Sequence, residues 1–274
     1  MKEKRTNLTT STDRFMKPFI PNGFTYVTGS WNNGFVISDK FGNEFVWVPV
    51  GWLEENGTLD GLSFNSKLGL RNWYNYDFSS TGWHEDIPQN IVESILYWEG
   101  FYTSRNTASL ESGKVVFKTG NIPLVELSYN QAKDFESTFK TNSDDIDHCL
   151  MLGSGYDSIC QWIIQSGIKT KGEILDDSTY LGNYANNDKF YSNDGLAQLL
   201  PTGSHPEWSI YNINDLAGNV LEFTQEQHNT DRIVLRGGHY RVNGRDYPIG
   251  DRYFREPPTT KVNIAGFRSM LFHK

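Results

Sequence analysis

The chain is poor in cysteine: only Cys149 and Cys160 occur among 274 residues, with no CxxC pair and no cysteine–histidine cluster at zinc spacing. A disulfide framework is therefore not expected; a single bridge between the two stays open, but two ordinary thiols are the favoured interpretation. No stretch of about 18 apolar residues occurs, which argues against membrane insertion. Residues 1–17 have no apolar core and do not resemble a secretory signal. We expect a cytoplasmic or virion-associated protein.

Positive charge is also scarce, since 25 Lys and Arg stand against 33 Asp and Glu, for a net charge of −8. This acidity argues against general nucleic-acid binding, which depends on neutralising phosphates. Catalytic signatures are absent as well: there is no G-x-S-x-G elbow, no P-loop and no H-E-x-x-H motif. Carboxylates are plentiful but no feature singles out a catalytic pair, so a glycosidase stays an open alternative that nothing favours.

Aromatic residues are the main resource for a core, with 8 Trp, 17 Phe and 14 Tyr. Residues 1–20 are polar and predict a flexible N-terminal tail that would serve as an attachment arm. Length alone suggests about two domains. The rest of the chain has no internal repeat and no low-complexity linker, so we predict one loop-rich α+β domain over residues 21–274.

Short strands and few helices are predicted within this domain. The predicted strands are FTYV (24–27), FVIS (35–38), FVWVPV (45–50) and RIVLR (232–236), the first three as a meander. The predicted helices cover 88–98, 128–139 and 156–165, where apolar residues recur at helical spacing. The Asn33–Gly34 pair favours a hairpin turn, Pro49 predicts a strand end or sheet edge, and Ser128 with Gln131 predicts a capping box.

Four segments, in order, resemble one family. They are FVWVPV (45–50), NIPLVELSYNQAKDF (121–135), SIYNINDLAGNVLEFT (209–224), and RGGHY (236–240) followed by AGFRSML (265–271). Together they are similar to motifs of the formylglycine-generating-enzyme (sulfatase-modifying factor) family, a variant of the C-type lectin fold, and the resemblance covers about residues 23–272. Gly237 and Gly238 would allow backbone geometry that a Cβ obstructs, and Arg236 and Arg268 would fork hydrogen bonds into carbonyls or carboxylates as scaffold.

The resemblance also implies which chemistry is missing. Active members bind copper through two cysteines between the RGG and GFR motifs, but residues 238–266 contain none, and Val242 or Tyr247 cannot replace a thiolate. We therefore expect no copper and no enzymatic activity. Another family branch binds iron through histidines, partly from an additional domain; the six histidines here show no HxH or HxxxH pattern. An oxidoreductase of the family's type with an altered metal site stays an alternative.

One metal site is expected from the resemblance. Asp215, Gly218, Val220 and Glu222 of DLAGNVLE match a family loop in which calcium takes a side-chain oxygen, two backbone carbonyls and a carboxylate. We expect structural calcium at these four residues. The alternative is that Asp215 and Glu222 cap turns or pair with arginine. A second family site would draw on residues 182–195, where no ligand can be assigned.

The C-terminal segment predicts a recognition surface. Residues 232–274 hold nine basic and three acidic residues, a local charge of +6 that leaves −14 for the rest of the chain. Arginine and tyrosine dominate binding hot spots, since tyrosine faces stack on sugars and arginine grips carboxylate or sulfate. In the family's fold the interval between RGG and GFR is an exposed ligand-binding face, here residues 239–264. The expected ligand-binding residues are Tyr240, Arg241, Asn243, Arg245, Asp246, Tyr247, Asp251, Arg252, Tyr253 and Arg255.

These observations lead to competing hypotheses. The leading one is a non-enzymatic ligand-binding module, such as a phage or bacterial-surface receptor-binding protein that recognises a glycan or a protein on a cell surface. Retroelement-diversified variable proteins of the same family vary this interval, and the segment is similar in layout. The main alternative is a structural virion component, a decoration or tail protein docked to an assembly partner through residues 1–20.

Overall fold

A six-stranded antiparallel sheet forms one layer of the computed structural model, which describes residues 19–50, 52–53, 59–60, 83–190, 197–228, 231–254 and 257–274. Its strands lie in the order Phe24–Thr28 (β1), Val36–Asp39 (β2), Glu44–Pro49 (β3), Gly100–Ser104 (β7), Ser269–His273 (β15) and Ile146–Leu150 (β10). The predicted meander of β1, β2 and β3 is confirmed, with Pro49 at the end of β3. Residues 269–273 thus occupy an interior position in the sheet.

A second sheet carries the segment of interest. Its strands lie in the order Tyr253–Phe254 (β13), Arg232–Arg236 (β12), Leu221–His228 (β11) and Ala265–Phe267 (β14), and Trp83–His84 (β6) also pairs with β11. The pairing of β11 with β14 is parallel and the others are antiparallel. Two hairpins complete the described strands: Trp52–Leu53 (β4) with Leu59–Asp60 (β5), and Ser109–Glu111 (β8) with Lys114–Val116 (β9). Strand β12 coincides with the predicted strand RIVLR (232–236).

The helices follow local signals. They are Gln89–Trp98 (α1), Tyr129–Thr138 (α2), Gly153–Gln165 (α3) and Lys171–Leu175 (α4). The predicted capping box opens α2, since Gln131 N donates to Ser128 Oγ at 3.3 Å and Ser128 N donates to Gln131 Oε1 at 3.1 Å. Helix α3 begins three residues before the predicted start. The buried Glu85 carboxylate accepts from the backbone N–H of Gly153 at 2.5 Å and of Ser154 at 3.0 Å, an anion placed favourably at a helix N-terminus.

The middle strands of the large sheet, β3, β7 and β15, are buried on both faces. Along β3, Val46 and Val48 pack into one apolar cluster with α3, whereas Phe45 and Trp47 pack into a second cluster with α2 and β11. Alternating side chains of a strand point to opposite faces of its sheet. The run FVWVP therefore contributes side chains to both apolar clusters. The prediction of two ordinary thiols is confirmed, because Cys149 and Cys160 are both free.

The fold is therefore mixed α+β, rich in sheet and poor in helix. No helix in the described ranges has the length and apolar character needed to cross a membrane. Residues 1–18 of the predicted tail lie outside the described residues, as does Arg255. Phe19 already contacts the fold, with its ring centroid 5.3 Å from that of Trp98.

Candidate functional site

Strand β12 ends at Arg236, whose fully buried side chain ties the second sheet to the C-terminal segment. Its Nε donates to the Asp251 carbonyl at 2.8 Å, and its Nη2 donates to the Gly250 carbonyl at 3.1 Å. Nη2 also lies 2.9 Å from Asp157 Oδ1, and the guanidinium lies 4.6 Å from the centroid of the Tyr156 ring. The predicted scaffold role of Arg236 is confirmed.

Arg252 is buried as well, so its expected place on an exposed binding face is wrong. Its side chain is 6% exposed. The Nε donates to Glu226 Oε2 at 3.1 Å, and Nη2 pairs with Asp157 Oδ2. With Arg236 these groups form a buried network of two positive and two negative charges. This burial could not be predicted from the basic segment itself, because the carboxylates that pair with Arg252 lie 26 and 95 residues away in the sequence.

The RGG turn leads from this network to the surface. Gly237 and Gly238 have φ values of +91° and +69°, and a Cβ on Gly238 would lie 2.5 Å from the Tyr247 carbonyl oxygen. The buried Tyr184 hydroxyl lies 2.9 Å from the Gly237 carbonyl and 2.8 Å from the Tyr247 carbonyl. It fixes both ends of the loop between them, a role that sequence reasoning missed.

His239 forms part of the floor beneath this loop. Its Nδ1 accepts a hydrogen bond from Arg241 N at 3.2 Å, and the ring lies 6.3 Å from that of Tyr247. Burial, with a smaller contribution from the nearby Arg241 charge, lowers the pKa of His239 to about 4. The ring is therefore neutral at pH 7 and carries its proton on Nε2.

Residues 177–189 interlock with residues 240–247 and extend the predicted surface. Ser178 N donates to the Gly244 carbonyl at 2.9 Å, and Ala185 N donates to the Val242 carbonyl at 2.9 Å. Gly244 N donates back to Asn186 Oδ1 at 3.1 Å. The two segments present one surface, here called the ligand face. Its exposed residues are Tyr180, Asp188, Lys189, Arg241, Arg245 and Asp246, and its half-buried residues are Asp177, Tyr240, Asn243 and Tyr247.

Cations on the ligand face lie beside tyrosines or acids. Lys189 Nζ lies 4.1 Å from the ring centroid of Tyr180, which is 50% exposed. The Arg241 guanidinium lies 5.1 Å from the ring of Tyr240. Arg245, with a side chain 77% exposed, pairs with Asp177 at 3.3 Å. Tyr180 and Lys189 were missed because they precede the RGG motif by more than forty residues.

Asn243, Asp251 and Tyr253 of the predicted ligand-binding set are half-buried. Asn243 accepts from Arg245 N at 3.0 Å and from Asp246 N at 2.7 Å, so its side chain shapes the turn. Asp251 and Tyr253 are half-buried beside the ion network, and the Tyr253 ring lies 5.7 Å from that of Tyr247. The expected set is therefore split: its members at 240–247 reach the ligand face, whereas those at 251–253 lie beside or within the support beneath it.

The DLAGNVLE loop contains Asp215 and Glu222 in buried positions. Asp215 Oδ2 accepts from Gly203 N at 2.7 Å. Glu222 Oε1 accepts from Arg268 Nε at 2.7 Å and from Thr107 Oγ1 at 3.2 Å. These contacts match the alternative to calcium binding, in which the two carboxylates cap turns or pair with arginine. Arg268 also donates to the carbonyls of three residues, so its predicted scaffold role is confirmed; these are Ser104, Arg105 and Asn214.

The same loop retains features that suit a cation. Glu222 Oε2 is buried without a hydrogen-bond partner, and burial raises the pKa of the carboxyls of both Asp215 and Glu222. Gly218, at φ +68°, and Val220 belong to the same loop, where the expectation uses their carbonyls. No group of three or more His, Cys, Asp or Glu side chains in the described ranges is placed to hold a metal. Calcium here stays a prediction.

Comparisons with known proteins bear on the fold. Neither a family model nor a curated protein matches the chain. The α+β class defined above is shared with a solved structure that matches over nearly the whole chain. The structure of PvdO from Pseudomonas aeruginosa is similar, with a TM-score of 0.50 and 13% identity, covering 94% of this chain and 100% of that one.

Treponema denticola variable protein 1 is a second similar structure, with a TM-score of 0.39 and 15% identity, covering 63% of this chain and 84% of that one. At a TM-score of 0.39 this second likeness carries no argument, and at 13% identity the likeness to PvdO concerns the fold alone. The formylglycine-generating variant stays a prediction.

Proposed function

We propose that this protein is a non-enzymatic ligand-binding module that uses the ligand face. The observation that carries the proposal is that two cations of the ligand face each lie beside a tyrosine ring, Lys189 beside the exposed Tyr180 and Arg241 beside the half-buried Tyr240. Such side chains combine flat apolar faces with strong hydrogen-bond donors, and they are enriched where binding energy is concentrated.

The rigid support beneath the face favours binding further. The RGG turn, Tyr184 and the buried ion network hold the backbone of 237–252 by hydrogen bonds on its inner side. A surface that is already ordered loses little conformational freedom when a ligand binds, so more of the contact energy remains as affinity.

The positions of the thiols favour recognition over redox chemistry at the ligand face. Both thiols are outside the ligand face, Cys149 on β10 and Cys160 on α3. Burial raises the pKa of Cys160 to about 12, which suppresses its thiolate. Val242, in the interval where active members of the resembling family carry their two cysteines, packs against the apolar core. These features support recognition, within a lectin-like variant of the fold, over redox chemistry.

We propose a glycan or a protein on a cell surface as the ligand, as for a phage or bacterial receptor-binding protein. The test is a glycan-array and protein-array screen with the full chain, followed by titration of any hit. Tyr180→Ala and Arg241→Ala should each weaken binding by at least about tenfold. The matched controls are Tyr26→Ala, whose side chain is 54% exposed on β1, and Lys114→Ala, exposed on β9.

The comparison between variants decides the outcome. Loss of affinity confined to Tyr180→Ala and Arg241→Ala supports the ligand face. Equal affinity in all four variants would place the binding elsewhere and overturn the proposal.

We also infer a structural calcium ion at the DLAGNVLE loop. The unpartnered Glu222 Oε2 and the carboxyl of Asp215 would supply charged oxygens, and the Gly218 and Val220 carbonyls would complete an all-oxygen set. The ion would stabilise the loop between the ligand face and the large sheet and would take no part in ligand contact.

A further inference from the structure

His273, the last residue of β15, is enclosed by aromatic rings from four parts of the chain. Its ring centroid lies 4.8 Å from Trp98 of α1 and 4.9 Å from Phe19. Tyr102 of β7 lies 6.0 Å away, and Trp47 of β3 lies 6.4 Å away. The histidine is 1% exposed, and neither ring nitrogen has a hydrogen-bond partner. This aromatic enclosure is a poor place for a polar ring.

The enclosure tolerates the neutral imidazole far better than the imidazolium. Burial lowers the pKa of His273 to about 4, while the Asp145 carboxylate acts in the opposite direction. The side chains that β3, β7 and α1 contribute are the rings of Trp47, Tyr102 and Trp98. The hydroxyl of Tyr102 and the indole nitrogen of Trp47 are themselves buried without partners. Among the described residues, the Asp145 carboxylate is therefore the charge that favours a proton on His273.

Phe19 is the most exposed wall of the enclosure, at 39%. Its segment is held at a second point, because Asn22 N donates to Asp145 Oδ2 at 2.9 Å. A turn follows, in which Phe24 N donates to the Pro21 carbonyl at 3.1 Å. The segment thus touches both the histidine and the one carboxylate that could compensate its charge. Lys274, the neighbouring cation, pairs with Asp147 at 3.3 Å.

We propose that Phe19 and His273 form an acid-sensitive latch, in which protonation of His273 releases residues 19–22 while both sheets stay folded. An imidazolium gains hydration only if one wall moves, and Phe19 is the wall that is not part of a sheet or helix. Turning Asp145 toward the new charge would also weaken its bond to Asn22 N. The latch would couple the attachment of the N-terminal segment to pH.

Hydrogen exchange of the Asn22 and Phe24 amides in the full chain tests the latch, after correction for the intrinsic pH dependence of exchange. Between about pH 7 and about pH 4, protection at these amides should fall by at least about tenfold. His273→Phe keeps an aromatic ring but cannot take up a proton, so its protection should not change. His239→Asn removes the other histidine with a lowered pKa and should behave like wild type.

Three results would overturn the latch. They are constant protection in wild type, an equal loss in His273→Phe, and loss of protection across both sheets at the same pH, which indicates global unfolding. If His273→Phe does not fold, Phe19→Ala replaces it. That variant should lose protection already at about pH 7 and should raise the His273 pKa measured by NMR; an unchanged His273 pKa would contradict the latch.

Discussion

Five arginines of the C-terminal segment fall into two groups, three of them buried and two on the ligand face. Arg236, Arg252 and Arg268 are buried and bound to carboxylates and carbonyls of distant elements. Arg241 and Arg245 lie on the ligand face. The local charge of +6 is therefore not a basic surface, because its buried part is compensated by Asp157, Glu226 and Glu222. Ligand choice should depend on tyrosine faces and directed hydrogen bonds more than on net charge.

Removing a buried arginine should have the largest effect. Arg268→Met leaves Glu222 as a buried charge without its main partner and frees three carbonyls, so we expect a loss of about 3–5 kcal/mol in the free energy of unfolding. Urea denaturation measures it. Adding Glu222→Gln to Arg268→Met should recover part of the loss. A cost below about 1 kcal/mol would contradict the compensation between these two residues.

Arg252→Met should come next, with a loss of about 2–3 kcal/mol, because Arg236 remains to compensate Asp157 and Glu226. Its exposed counterpart Arg245→Ala should cost less than about 1 kcal/mol, as surface ion pairs do. Ligand affinity should show the reverse order: Arg245→Ala should weaken binding, whereas Arg252→Met should have little effect. Equal stability losses in the two variants would erase the distinction between the groups.

Acid should destabilise the folded protein through His239, which lies beneath the ligand face. The folded pKa of His239 is lowered to about 4 from an ordinary value of 6.5. Below about pH 6.5 the unfolded chain binds the proton first, so stability falls toward pH 4 and is unaffected above that window. We expect a contribution on the order of 2 kcal/mol, reduced by solvent screening. Stability measured against pH should be flatter for His239→Asn, whose amide oxygen can still accept from Arg241 N; identical slopes would contradict it.

Calcium should give the smallest effect. A ligand that binds the native state alone raises its stability by mass action, so millimolar calcium should raise the Tm by a few degrees over the chelated protein. Differential scanning calorimetry with magnesium as the control ion measures this. An unchanged Tm would leave hydrogen bonding to Gly203 and Arg268 as the complete role of Asp215 and Glu222.

Much of the architecture follows from short-range signals. The meander, the capping box of Ser128 and Gln131, and the helices α1, α2 and α3 were predicted because each depends on residues a few positions apart. Gly237 and Gly238 came from the RGG motif of the resemblance, and their positive φ values agree with the backbone geometry expected there. The scaffold roles of Arg236 and Arg268 came from the resemblance to the enzyme family.

The support beneath the ligand face depends on distant contacts and was not predicted. Arg252 reaches Asp157 across 95 residues, and Tyr184 reaches Tyr247 across 63. Tyr180 enters the face only because residues 177–189 interlock with residues 240–247. A single sequence carries no trace of such pairings, whereas the exposed positions of Arg241 and Arg245 agree with the prediction because the turn around Asn243 is local.

The interior position of β15 has a consequence for synthesis. Strands β7 and β10 can meet their shared neighbour only after residues 269–273 have left the ribosome, so the large sheet closes more than 100 residues after β10 has been translated. Until then β7 and β10 each present an unpaired edge, which invites association between nascent chains. Such late, long-range closure is slow by nature. Production of this protein should therefore benefit from low temperature and slow expression.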